Sequence, residues 1–245
     1  MWVAGADGCR EGWVVVFRST EGLAPRGRII KPFDAILEAD EHPVRIAVDI
    51  PIGLPKLSRR GGRTADRQAR AILGRDRQSS VFPAPSRAAL EAKSFLDACS
   101  IELKNSAPPK KVSQQIFNIF DKIREVDEAV RHHPGIVFEC HPEVTFCVMN
   151  GDRAMRLPKK LSRRKNPSGL NESGLDERRA LLAKNGFPES FLTSRFGTTA
   201  QCGWDDQLDA CAAAWTAERI LNGTSRRIPE ASDWDEMKLD MAIWA

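Results

Sequence analysis

The sequence predicts a single α/β domain on a mixed, five-stranded sheet, with the element order β-β-β-α-β-α-β-α and helical insertions. Three observations carry this expectation. Three short β-type runs precede residue 32 with turns between them, the pattern of an antiparallel meander. Two later runs, 44–50 and 136–141, are nearly all apolar, as strands covered on both faces are, and helical patterns separate them. A last helix opens on Trp204-Asp205-Asp206-Gln207-Leu208-Asp209 and runs to about Asn222.

In chain order, Val3–Asp7 and Trp13–Arg18 flank a glycine-bearing loop of hairpin length, and Arg28–Lys31 completes the meander. Phe33, Ile36 and Leu37 give a short amphipathic helix after Pro32. The run 44–50 stops at Asp49-Ile50-Pro51-Ile52-Gly53-Leu54-Pro55, because prolines cannot donate to a sheet ladder. A carboxylate at the carboxyl end of a central strand is where open α/β sheets hold ligands. Residues 56–112 read as an insertion. Within it Thr64 caps a helix over 65–73, Ser79–Pro85 forms a rigid turn, and Ser86 starts a helix reaching about Ala98. Ser113–Arg131 repeats apolar residues at helical spacing and ends at His133-Pro134-Gly135, which predicts one long helix. In the strand that follows, alternation puts Val137, Glu139 and His141 on one face. Residues 151–201 form a second, polar and basic insertion, with a capping-box pattern at Ser173–Asp176. The domain therefore spans 1–245.

Composition narrows the function classes. At 42% hydrophobic and 29% charged, the chain is globular rather than disordered or membrane-embedded. No apolar run approaches the roughly 20 residues that span a bilayer, so no membrane partner is expected. The start lacks a basic segment followed by an apolar one, so a cytoplasmic location is expected. Six cysteines fall at no metal-finger spacing and read as small buried hydrophobes. A net charge of +4 permits a polyanionic partner without requiring one.

The acids carry the chemistry. Asp7 ends the first strand, Asp49 the fourth, Glu139 lies on the fifth, and Asp206 and Asp209 face inward from the last helix with Asp205 as its cap. If the parallel strands and that helix converge, these side chains meet on one rim. Mg²⁺ and Mn²⁺ take oxygen ligands, whereas clustered carboxylates without a cation raise each other's pKa and protonate. Two such ions roughly 4 Å apart would clamp the attacking and leaving oxygens of a phosphodiester.

Element order and acids together resemble the ribonuclease H-like fold, whose nucleases carry an Asp on strand one, acids on later strands and a final Asp on the last helix. The hairpin Gly5-Ala6-Asp7-Gly8-Cys9-Arg10-Glu11-Gly12-Trp13-Val14 is similar to the opening of Holliday-junction resolvases in that superfamily. The whole chain resembles an uncharacterised domain family labelled predicted ribonuclease H-like nuclease. The matching pieces are Asp7-Gly8-Cys9 with Gly12-Trp13, residues 47–54, Ser80–Pro85, Phe138–Glu143 and Asp205–Ala210. The resemblance implies a divalent-metal nuclease with Asp7, Asp49, Glu139 and Asp209 as metal ligands and Asp206 assisting. Basic residues at 59–63 and 159–165 suit contacts to a DNA or RNA backbone. Arg63, Arg67, Arg70, His141, Lys159 and Lys160 are the candidate substrate contacts.

Each residue has a plainer reading. Asp7 also suits an Asp-Gly turn. Asp49 could form a structural ion pair with Arg63, Arg67 or Arg70. His141 also reads as a satisfied core histidine, Glu143 as a surface acid, and the basic segments as solvated loops. Two other functions stay open: a non-catalytic nucleic-acid or protein-binding relative, and an actin-like phosphotransferase, which would need a second glycine-rich phosphate loop.

Overall fold

A computed structural model describes residues 1–160 and 170–245. Its centre is the expected mixed sheet. Strands β1 (Trp2–Cys9), β2 (Gly12–Ser19) and β3 (Arg26–Ile30) form the antiparallel meander. The short helix α1 (Asp34–Leu37) leads to β4 (Ile46–Val48), which lies parallel to β1. The two-residue strands β5 (Ser58–Arg59) and β6 (Ser106–Ala107) pair with each other, outside this sheet. Between them lie α2 (Thr64–Arg77) and α3 (Phe95–Lys104). Helices α4 (Gln114–Phe117) and α5 (Phe120–His132) precede β7 (Val137–Glu139), which lies parallel to β4. The strand order is β3-β2-β1-β4-β7. The chain continues through α6 (Pro142–Met149), α7 (Glu172–Lys184), α8 (Glu189–Leu192) and α9 (Trp204–Leu221). A closing hairpin pairs β8 (Arg227–Ile228) with β9 (Ile243–Trp244), and Trp244 bridges to Cys140 at the end of β7.

The central strands are apolar along their length because both faces are covered. On one face Trp13, Val15, Phe17, Ile46 and Val48 pack with Phe120, Ile123 and Val126 of α5. On the other, Val14 and Val16 pack with Leu208 and Ala212 of α9 and with Leu175 and Leu182 of α7. Helix α9 packs tightly on β1 at Gly5. A Cβ there would stand 2.2 Å from the Ala210 carbonyl and 2.0 Å from the Ala214 nitrogen, so only glycine permits this approach. All six cysteines are free and buried. Among the described residues no helix is long and apolar enough to cross a membrane.

Several boundaries differ from the sequence expectation, each for a local reason. β1 continues to Cys9 and β2 begins at Gly12, so Asp7 pairs with Val14 inside the ladder rather than starting a turn. The expected helix 113–131 breaks at Asn118–Ile119, where Ile119 has φ −107°. Apolar spacing runs through the break, so periodicity could not reveal it. Ser86 starts no long helix: its hydroxyl and backbone N–H both donate to Glu102. A single 3₁₀ segment follows at Arg87–Glu91, and α3 begins after Ser94, whose hydroxyl accepts from Asp97 N–H. Thr64 is the first residue of α2 rather than its cap, because Asp66 reaches back to the Arg63 N–H. Ser173 lies within α7, which starts one residue earlier at Glu172. Helix α6, with Pro142 in its first turn, had no place in the expected order.

Candidate functional site

The sheet register decides which acids meet. Ala6, Val48 and Glu139 share one rung across β1, β4 and β7. Asp7 and Asp49 are each one residue further on, and Asp49 N–H donates to the Ala6 carbonyl at 3.2 Å. Neighbouring strands lie about 4.8 Å apart, so these two carboxylates are side by side. A step of one residue reverses the face. Asp7 therefore points, like Gly5, toward α9, while Glu139 shares a face with Ala6 and Val48.

Asp209 stands one residue before Ala210, the α9 residue whose carbonyl meets Gly5, and so faces the same rim. Burial, followed by the charges of Asp49, Asp209 and Asp206, holds the Asp7 carboxyl well above the usual range. Burial raises Asp49 to about 6 and Asp209 to about 7, with Lys159 pulling both back down. The Asp7 Oδ1 accepts from the Gly8 N–H at 2.7 Å. Among the described residues nothing donates to the Asp49 carboxylate. The buried Oδ1 of Asp209 has no partner either.

Roles within the aspartate cluster are exchanged relative to expectation. Gly203 precedes the first turn of α9, so Asp206 is its third residue and accepts from the Gly203 N–H at 2.8 Å. Asp206 thus serves the helix end, while Asp205 is buried and pairs with Lys160 at 2.6 Å. Both line the same cavity as Asp209.

Glu139, a candidate metal ligand in the sequence, is engaged elsewhere in the structure. Its oxygens accept from Arg63 at 2.7 and 2.5 Å, and one also accepts from Ile52 N–H at 2.7 Å. The Arg63 guanidinium is spent as well, on Asp66 and the Ile52 and Gly53 carbonyls, so it is not free for substrate. The ion pair weighed for Asp49 is in fact made by Glu139. Arg67 donates to the Gly62 carbonyl and Thr64 hydroxyl, and Arg70 to the Val81 and Gly61 carbonyls. These two arginines fix the loop backbone and do not line the acid cavity.

Lys159 and Lys160 do reach it. The Lys159 ammonium pairs with Asp209 and lies 3.7 Å from Glu143. The other members of the basic run, 161–165, lie outside the described residues. Helix α7 places this strap: Glu177 accepts from the Arg156 and Leu157 N–H groups, and buried Arg178 donates to the Leu157 carbonyl. Arg178 also holds Glu143 through both its oxygens, at 2.7 and 2.8 Å. Glu143 is therefore a buried brace rather than a surface acid. Its link to α7 was invisible in sequence because 35 residues separate the partners. Burial lowers the pKa of His141; Nε2 faces the Ser80 carbonyl at 3.2 Å and Nδ1 is unpaired.

Two cavities meet at Asp7 and Asp49. The larger, about 460 Å³, is lined by Asp205, Asp206 and Asp209 of α9 together with Lys159, Lys160 and Arg178. The smaller, about 200 Å³, extends past Phe82 over Ile116 and Ile119. Phe82 lies on both and was absent from the sequence-derived candidates; the only signal was an aromatic locked before Pro83-Ala84-Pro85.

Among the described residues no three His, Cys, Asp or Glu side chains stand in a finished metal-binding arrangement. The chemistry of the set nonetheless fits a hard divalent cation. Among the described residues, Asp7, Asp49 and Asp209 offer carboxylate oxygens alone, two of them with oxygens no donor satisfies, and Lys159 offsets their repulsion in part. No curated protein and no solved structure matches the chain. One family model, described as Protein of unknown function (DUF429), matches residues 5–233, and the chain belongs to that family.

Proposed function

We propose that this protein is a divalent-metal-dependent phosphodiesterase or nuclease with a ribonuclease H-like fold. The observation that carries the reading is the meeting of Asp7, Asp49 and Asp209 at the carboxyl edge of the sheet with few partners for their charge among the described residues. The fold part is supported by the strand order β3-β2-β1-β4-β7, antiparallel then parallel, with acids on β1, after β4 and on the last long helix.

Asp7, Asp49 and Asp209 would hold Mg²⁺ or Mn²⁺; Glu139 is left out, being tied to Arg63. A bound divalent ion supplies Lewis-acid polarisation of a phosphoryl oxygen and a more acidic water. The chain does the rest. Lys159 and Lys160 bring positive charge to the mouth of the cavity, where a phosphate would be received. Arg178 and Glu177 on α7 keep that strap in place, and Glu143 braces Arg178 from the opposite side. Asp206, raised by burial and by Asp205, is suited to hold a proton near the site.

The Lys159–Asp209 pair favours one alternative, a nucleic-acid-binding relative in which the ammonium stands permanently where a cation would sit. One experiment separates the two. The purified protein is incubated with single- and double-stranded DNA, RNA and branched DNA in Mg²⁺ or Mn²⁺, beside a chelator control. Cleavage that needs the metal and is lost in Asp7→Asn is expected. Binding with steep salt dependence, no cleavage and no response to chelator would establish the binding reading instead.

A further inference from the structure

We propose that the smaller cavity is the pocket for an unpaired nucleobase adjoining the phosphate at the acid centre, with Phe82 as its stacking face. This rests on the phosphodiesterase reading and specifies its substrate as single-stranded nucleic acid.

The pocket opens directly from Asp7 and Asp49, so a group entering it is attached to whatever the acids hold. Its cations are already engaged. Arg63 is spent on Glu139 and Asp66, and Lys122 donates to the Gly12 carbonyl at 2.5 Å with its ammonium over the Trp13 ring. Beyond Asp7, Asp49 and His141 at its junction with the larger cavity, what it offers a ligand is apolar, with Val81, Ile116, Ile119 and the ring of Phe82 in its lining. A neutral, flat-faced occupant suits this lining, and a second phosphate does not. At about 200 Å³ the space lies below the roughly 300–1,000 Å³ of drug-sized sites, so it takes one ring system rather than a length of folded chain.

Phe82 is 40% exposed, whereas its neighbour Val81 is 4% exposed. The backbone that carries the ring is held on both sides. Arg70 donates to the Val81 carbonyl on one side, and Ala84 N–H donates to Asp66 on the other. A large apolar face exposed on an anchored loop beside a phosphate site is the arrangement by which proteins stack single-stranded bases. At the junction of the two cavities, the unpaired Nδ1 of His141 adds an acceptor, since Nε2 carries the proton facing Ser80. A base still paired in a duplex would have to leave its stack to reach this pocket.

The test is a binding cycle without turnover, in Ca²⁺, by fluorescence anisotropy. Probes are labelled oligothymidine and oligouridine, strands of the same length carrying abasic sugars throughout, and a blunt duplex. Phe82→Ala should weaken binding of the base-bearing strands by about tenfold, Phe82→Trp should retain it, and both variants should match wild type on abasic strands. The DNA and RNA arms show whether the pocket discriminates between sugars. Equal loss on intact and abasic strands, no loss on either, a duplex bound as tightly as the single strand, or no binding to any strand would overturn the proposal. Failure of the enzyme reading looks different. Base-dependent binding through Phe82 without cleavage in Mg²⁺ or Mn²⁺ would leave the pocket standing and remove the nuclease. Metal-dependent cleavage without the Phe82 effect would do the reverse.

Discussion

Replacing Asp49 by asparagine should make the protein more stable at pH 8 and leave it unchanged at pH 4. The Asp49 carboxyl is raised from 3.8 to about 6, first by burial and then by Glu143. A folded-state value above the unfolded one means that the folded chain holds the proton more tightly. The resulting stabilisation is complete below pH 3.8 and is lost as pH rises through about 6. At 1.36 kcal/mol per pH step the loss is roughly 3 kcal/mol. Asp49 is only half-buried, and water at its exposed side trims this to about 2 kcal/mol. Asparagine keeps the shape and never ionises. For a chain of this size, 1 kcal/mol moves the midpoint by about 2–4 °C, so Asp49→Asn should melt roughly 4–8 °C above wild type at pH 8 in chelator. Circular-dichroism melts between pH 4 and pH 8 measure this directly. A variant no more stable than wild type at pH 8, or equally stabilised at both pH values, would refute the picture of an under-neutralised acid cluster.

Three further outcomes follow from the same geometry. Mn²⁺ should raise the wild-type melting temperature at pH 8 and far less at pH 5, where Asp209 (about 7) and Asp49 (about 6) are protonated; a pH-independent shift would place the ion elsewhere. Lys159→Met should tighten Mn²⁺ binding by about tenfold in calorimetric titrations, because the ammonium competes for Asp209, and weaker binding would show that the lysine assists the ion instead. Arg63→Met should destabilise by about 3–5 kcal/mol, since it strands Glu139 and Asp66 in the interior, and adding Glu139→Gln should recover part of that loss in denaturant melts. If the two losses simply add, Glu139 and Arg63 are not coupled.

The meander, both parallel strands and the last helix were legible because each writes its burial into local periodicity. Asp7, Asp49 and Asp209 were legible for a related reason: a carboxylate beside a buried strand or helix start is conspicuous in a short window. Glu139 shows where that method ends. Its alternation within the strand was read correctly, but its place relative to Asp7 depends on register between strands about 130 residues apart. One rung turns it away from the cluster and toward Arg63. The same applies to Arg178 and Glu143, which meet only after the second insertion folds back. Arg67 and Arg70 looked like phosphate contacts because charge is visible in sequence, whereas the backbone carbonyls that engage them are not. The exchange of roles between Asp205 and Asp206 turned on where α9 begins, a single-residue matter that helix-end signals do not resolve.

The contact at Gly5 has a consequence for how the acid cluster can vary. Asp7 is two residues from the point where β1 touches α9, and Asp209 is next to the α9 residue it touches there. The span between the two acids is therefore set by backbone against backbone, with no side chain in between to relax or repack. Substitutions elsewhere in the core can redistribute volume without altering that span. One methyl group at position 5 cannot be absorbed in this way, and it would lever the helix, with all three of its aspartates, away from the strand. The centre can thus be taken apart while every carboxylate in it remains unchanged.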